Sequence, residues 1–248
     1  MGDHLDEVRR DWERLGAEDP LWAVLMKPGT RHGGWDVDEF LATGRAEVDA
    51  AMTRLRDLAP ELTLRRVLDF GCGAGRTAQA LRRHSEAVLG VDISAPMLEI
   101  ARRLDESGSC DFVLNDRPDL SAFGDGAFDL AYSSLVLQHL PPEVARAFLG
   151  ELGRVVRPGG AVVVQVATKP TASAKGWLFR VAPRRLLRFG QRRILGYPAP
   201  MRMHAITAGD VAAALAPHGL DVVATEEDTT YGGHWTYHRY FAVKRAAT

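Results

Sequence analysis

Apolar positions organise this chain before any single residue does. Leu5, Val8, Trp12 and Leu15 recur every three or four residues among charges, and the same spacing returns between 37 and 58. Both stretches predict amphipathic helices, near 4–16 and 37–58. Between them, DPLWAVLMKPGTRHGGWD is rich in Gly, Pro and Trp and reads as a loop with a short helix. From residue 66 the pattern changes. Short apolar runs near 66–70, 87–92, 111–114, 127–133 and 160–167 predict buried strands, with helical stretches near 75–84, 95–104 and 142–155 between most of them. Alternation of this kind predicts a parallel sheet with helices on both faces. Thr207 and Asp210 predict a capping box for a helix at 208–216, ended by Gly219. Segments 220–228 and 235–245 then predict two antiparallel edge strands. No internal repeat or low-complexity tract interrupts the pattern.

The most specific local signal is VLDFGCGAGR at 67–76. An apolar strand runs into glycines at 71, 73 and 75, then into a helix start. Glycine is needed where the backbone takes conformations that a Cβ forbids, or where a ligand must approach it closely. AVLGVDIS at 87–94 is a second apolar strand and ends in Asp92. An acid about 20 residues past such a loop, at a strand tip, can accept both ribose hydroxyls of a nucleoside. The dinucleotide fingerprint is G-x-G-x-x-G, whereas the spacing here is G-x-G-x-G. Asp69, just before the first glycine, also disfavours a pyrophosphate there, because like charges repel.

These segments resemble the class I S-adenosylmethionine (SAM)-dependent methyltransferases. Asp69 to Gly75 resembles their first motif and Gly90 to Ser94 their second. Asn115-Asp116 with Leu120 and Phe123 resembles the adenine-recognition segment. Phe128 to Leu140 resembles the fourth-strand motif, and Arg154 to Gly160 the turn before the fifth strand. The resemblance is dense over about 60–168. It implies an α/β fold with a Rossmann-like, mostly parallel seven-stranded sheet and an antiparallel strand at the C-terminal edge. Residues 1–58 are expected as an N-terminal helical lid. Residues 59–248 are expected as the SAM-binding domain, with an insert at 169–205 forming an acceptor lid.

The resemblance also implies roles. Gly71, Cys72 and Gly73 would line the methionine and ribose portion of SAM, with Asp69 near its ammonium and Ser133 offering a carbonyl to it. Asp92 would take the ribose hydroxyls and Ile93 would cover one adenine face. Asp116 would accept from the adenine amino group, with the Arg117 backbone beside it. Many relatives carry glycine where this chain has Asn115. N-terminal helices of the family often close over SAM, so Arg45 could reach its carboxylate. The alternative for Arg45 is a surface arginine on an amphipathic helix.

Methyl transfer is an in-line displacement on an already activated sulfonium, so positioning supplies most of the acceleration. A hydroxyl nucleophile must also lose a proton, and a histidine titrating near the working pH is a suitable base. His139, shortly after strand four, is the candidate; the alternative is a capping or positioning histidine. Three segments outside the common core are candidates for acceptor choice. Segment 28–45 carries His32, Trp35 and Phe40. Segment 169–205 carries Trp177 and His204. Segment 231–240 carries His234 and Tyr237. The scattered histidines match no standard metal spacing, and no metal is expected.

Composition bounds the remaining classes. The chain has 248 residues, a net charge of −1 and two cysteines, Cys72 and Cys110. That fits one soluble domain with no disulfide framework and no global drive toward nucleic acid. No apolar run approaches the ~20 residues needed to span a bilayer, and the acidic, amphipathic N-terminus is unlike a signal peptide, so a cytoplasmic protein is expected. Arg180, Arg184, Arg185, Arg188, Arg192 and Arg193 lie among aromatic and aliphatic residues. This stretch could touch a membrane surface or an anionic acceptor, or present a solvated helix face. The expected activity is SAM-dependent methylation of a small molecule at a hydroxyl of a specialised metabolite, lipid or glycoside. Alternatives are N- or C-methylation, an RNA or protein methyltransferase, and a SAM-binding regulatory protein. A monomer or a homodimer would fit equally.

Overall fold

A computed structural model describes residues 2–172, 190–191, 193–230 and 234–246. Three helices come first: α1 (Gly2–Glu18), α2 (Pro20–Val24) and α3 (Val37–Leu58). The sheet follows as β1 (Arg66–Phe70), β2 (Ala87–Asp92), β3 (Cys110–Leu114), β4 (Phe128–Ser133), β5 (Val156–Pro170), β6 (Leu220–Asp228) and β7 (Trp235–Lys244). Helices α4 (Arg76–Arg82), α5 (Ala95–Leu104), α6 (Pro142–Val155) and α7 (Ala208–Leu215) lie between strands.

The strand order is β3-β2-β1-β4-β5-β7-β6. The first five strands pair in parallel, and β7 pairs antiparallel with both β5 and β6. The reversed strand therefore sits inside the sheet, and β6 forms the edge. Strand order reverses direction around β1, which has β2 on one side and β4 on the other. A crevice opens there, beyond the carboxyl ends of the strands.

Side chains alternate along each strand and feed two cores. Leu68 joins the layer with Phe70, Phe128 and Phe148, while its neighbour Val67 joins Val88, Tyr132 and Val163 on the other face. A third cluster, including Leu15, Trp22, Trp35, Phe40, Met97 and Met201, binds the N-terminal segment to α5 and to the chain near 199–201.

Helix α3 packs tightly on α4. A Cβ on Gly44 would come within 2.3 Å of the Arg76 carbonyl oxygen. Beside it, Arg76 pairs with Glu47 at 2.7 Å and Tyr132 Oη donates to Glu47 at 2.7 Å, all three buried. Arg239 pairs with Asp228 at 2.7 Å nearby. Thr207 and Asp210 do form the expected capping box at the start of α7.

Candidate active site

The glycine turn has the conformations its sequence requires. Gly71, Gly73 and Gly75 have φ of 74°, 51° and 80°. A Cβ on Gly71 would fall 2.3 Å from Val136 Cγ2, so this position has no room for a side chain. The amides of Gly71 and Cys72 both donate to the Val91 carbonyl, at 2.7 and 3.0 Å. The Gly73 amide donates to Asp92 Oδ2 at 2.8 Å, and the Ser94 amide to Oδ1 at 2.9 Å. Burial raises the Asp92 carboxyl, and backbone bonds from Ser94, Gly73 and Ile93 oppose that rise.

A cavity opens over this turn. Gly71, Gly73, Asp92, Ile93 and Asn115 line it from the glycine turn and the ends of β2 and β3. Leu5, Val8 and Trp12 of α1, with Val24 of α2, cover it. Leu135 and Val136, just past β4, form a wall with Phe148. Leu135 has φ of 61° and its amide donates to Gln165 Oε1 at 3.1 Å, so a side chain on β5 holds this unusual backbone. Among the described residues no Lys or Arg lines the cavity.

His139 lines the same cavity at the end of a short 3₁₀ turn, Leu137–His139. Its Nδ1 lies 2.7 Å from the Arg202 carbonyl oxygen. A carbonyl only accepts, so Nδ1 carries the hydrogen and Nε2 keeps a lone pair. Trp12 packs edge-on against the imidazole at 5.1 Å. Burial pushes His139 down to about 4, with only the bond to Arg202 opposing. The imidazole is therefore neutral at pH 7. This corrects the expectation of a base titrating near the working pH.

Of the other expected SAM residues, Gly71, Gly73, Asp92 and Ile93 converge on the cavity. The side chains of Asp69 and Cys72 turn beneath the loop. Asp69 accepts from Thr77 Oγ1 at 2.7 Å, and burial pushes it up to about 7. Cys72 is buried, and burial keeps its thiol protonated. Ser133 donates to the Phe70 carbonyl at 3.0 Å, and it is Ser134 that faces the cavity. Asp116 and Arg117 are exposed beyond the cavity edge, and Asp116 faces Arg9 at 3.8 Å. Asn115 lines the wall in their place, its Nδ2 donating to the Asp119 carbonyl at 3.1 Å. Arg45 is exposed on α3, 3.5 Å from the Asp38 carbonyl, and does not reach the cavity.

The expected acceptor residues are dispersed. Trp35 is buried against Phe40 at 5.7 Å and donates to the Leu25 carbonyl, so both belong to the third core cluster. The His32 amide donates to Asp19 in a turn where φ is 61°. His204 is buried, and its amide donates to the Gln138 carbonyl at 2.8 Å. The His234 carbonyl accepts from Thr171. Tyr237 lies on β7, where burial pushes its hydroxyl up to about 12. Trp177 and the insert arginines Arg180, Arg184, Arg185, Arg188 and Arg192 lie outside the described residues. Among the described residues no group of three His, Cys, Asp or Glu could hold a metal ion.

Sequence reasoning expected an N-terminal helical lid over 1–58 but did not name Leu5, Val8, Trp12 and Val24 among the site residues. The apolar stripe of α1 was its visible signal.

Comparisons with known proteins agree with this geometry. Residues 68–164 match a family model described as a methyltransferase domain. The chain is 34% identical over 172 residues to a demethylmenaquinone methyltransferase from Thermus thermophilus, covering 62% of this chain and 77% of that one. It is 33% identical over 153 residues to a ubiquinone biosynthesis O-methyltransferase from Thiobacillus denitrificans, covering 60% and 63%. The magnesium protoporphyrin IX methyltransferase of Synechocystis, solved with bound S-adenosylhomocysteine, shares the fold: TM-score 0.64 at 22% identity, covering 96% of this chain and 98% of that one.

Proposed function

Because the chain belongs to the class I SAM-dependent methyltransferases, we propose that it methylates a hydroxyl on a small, largely apolar acceptor enclosed beneath α1. The cavity fits the donor. Gly71 and Gly73 line the space with bare backbone, and Asp92 lines it beside them. Asp92 would hold the ribose hydroxyls, and Ile93 and Asn115 would flank the adenine. When bound, SAM supplies an electrophilic sulfonium methyl.

The chain's own residues then do three things. Leu5, Val8 and Trp12 exclude water. The wall at Leu135 and Val136 aligns the acceptor. His139 accepts the acceptor's proton at Nε2, since Nδ1 is committed to Arg202. A neutral imidazole pushed down to about 4 is a weak base. It suits an acidic hydroxyl, such as a phenol or enol, better than an aliphatic alcohol. One relative is named as a ubiquinone biosynthesis O-methyltransferase, in keeping with such an acceptor.

The observation that carries this reading is the placing of a neutral His139 in one apolar cavity with Gly71 and Asp92. The test is turnover with methyl-labelled SAM and a panel of phenols, alcohols, amines and carboxylates. Label in an aryl or enol ether is expected. Label in a C-methyl, an N-methyl or an ester overturns the hydroxyl assignment. Bound SAM without turnover on any acceptor would mark a regulatory binder. We carry the cytoplasmic location, the monomer or homodimer, and an acceptor that is not nucleic acid as parts of the same proposal. No described helix is long and apolar enough to cross a membrane.

A further inference from the structure

Arg202 makes two connections that meet at the cavity. Its carbonyl receives the Nδ1 hydrogen of His139 at 2.7 Å. Its guanidinium reaches α1, with Nη1 donating to Glu7 Oε2 at 2.8 Å and Nη2 to Asp11 Oδ2 at 3.1 Å. Glu7 and Asp11 lie one turn apart, beside the Leu5, Val8 and Trp12 stripe that covers the cavity. The Arg202 and Asp11 side chains are only 11% and 15% exposed, so water screens this pair less than a surface pair. The strap around Arg202 is itself held to the body. The His204 amide donates to the Gln138 carbonyl at 2.8 Å, and the Ile206 amide to the Ala167 carbonyl at 2.9 Å. Trp12, one residue past Asp11, closes the circuit by packing on the His139 ring.

We propose that Arg202 is a positioning residue that couples closure of α1 over the cavity to the tautomer and orientation of His139. Its side chain seats the cover, and the same residue's carbonyl fixes the hydrogen on Nδ1 and leaves Nε2 free toward the acceptor. The neutral histidine side chain in water favours the opposite tautomer, with hydrogen on Nε2. Seating of α1 and exposure of a usable lone pair thus become one event. The proposal rests on the reading of His139 as the base.

The test uses the full chain and three variants: Glu7→Gln with Asp11→Asn, Arg202→Leu, and Arg202→Lys. The double variant preserves side-chain size at the α1 surface, so thermal melts should keep it folded even if Arg202→Leu fails. The first readout is the ¹⁵N spectrum of histidine-labelled protein, with His139 assigned by its absence in His139→Gln. Wild type is expected to show hydrogen on Nδ1. The double variant and Arg202→Leu should show mixed tautomers, and Arg202→Lys should restore the wild-type pattern in part. The second readout is steady-state kinetics. A roughly tenfold fall in kcat with a smaller rise in KM for SAM is expected in the double variant. If the tautomer and kcat both stay as in wild type, the coupling is overturned. The spectrum needs neither SAM nor acceptor. If the tautomer shifts while His139→Gln retains turnover, Arg202 still orients the ring, and it is the base assignment that fails.

Discussion

The amide of Gly73 and the carboxylate of Asp92 are joined by a 2.8 Å hydrogen bond, which makes the glycine turn and the tip of the next strand one unit. Asp92→Ala removes the proposed ribose acceptor and also leaves this amide without its partner. SAM affinity should fall by about 1–3 kcal/mol, measured by calorimetry. Asp92→Asn keeps an oxygen for Gly73 and should fall between wild type and Asp92→Ala. Unchanged affinity in a folded Asp92→Ala protein would refute the ribose assignment.

His139→Ala should lower turnover by about 10²-fold, the low end of the range for a general base, because the imidazole is a weak one. SAM affinity should change little. With the folded group near 4, kcat should show no histidine inflection between pH 6 and 9. The sign for stability follows. The unfolded chain binds this proton below its ordinary value of 6.5 and the folded chain resists until about 4, so this group's contribution is lost as pH falls from 6.5 to 4. His139→Gln should flatten that part of the stability profile. A wild-type rate across pH 6–9 in His139→Ala would mean that positioning alone suffices.

Asp69 has the opposite linkage. Its carboxyl is raised from 3.8 to about 7, so the folded state holds a proton that the unfolded chain has released. Stability from this group therefore declines as pH rises from about 4 through 7. Asp69→Asn keeps an oxygen to accept from Thr77. It should gain stability over wild type at pH 8 by about 1–3 kcal/mol and show no gain at pH 4. Denaturant melts at the two pH values give the comparison. An equal difference at both would contradict the raised carboxyl.

Glu47→Ala leaves the buried Arg76 guanidinium without its carboxylate and Tyr132 Oη without its acceptor. Losing one partner of a buried pair costs about 3–5 kcal/mol. Glu47→Gln keeps the acceptor for Tyr132 and should cost less. A melt within 1 °C of wild type for Glu47→Ala would show that the pair is dispensable.

The sheet was legible because β1, β2, β4 and β5 are continuous apolar runs, the signature of strands buried on both faces. The glycine turn and Asp92 were legible because their chemistry is local. The acceptor side was not. Trp35 and Phe40 have the same sequence character whether they pack on each other or face a ligand, and only tertiary packing puts them in the core. The burial that turns His139 into a neutral imidazole comes from Trp12 and the strap at Arg202, far away in sequence. Arg45 failed for a simpler reason: its face of α3 points to solvent, while Gly44 and Glu47 hold the opposite face against α4.

The seat of α1 also dictates when it can form. Ser94, His139 and Arg202 all touch this helix and all follow it by more than about 80 residues, so its contacts close only after most of the chain has been placed. A helix seated through such distant contacts is held to the body mainly by one apolar stripe and one ion-pair cluster. Its amides should exchange with solvent hydrogen through local opening, well before those of β1 and β4 do. The cavity can thereby be uncovered without loosening the sheet beneath it.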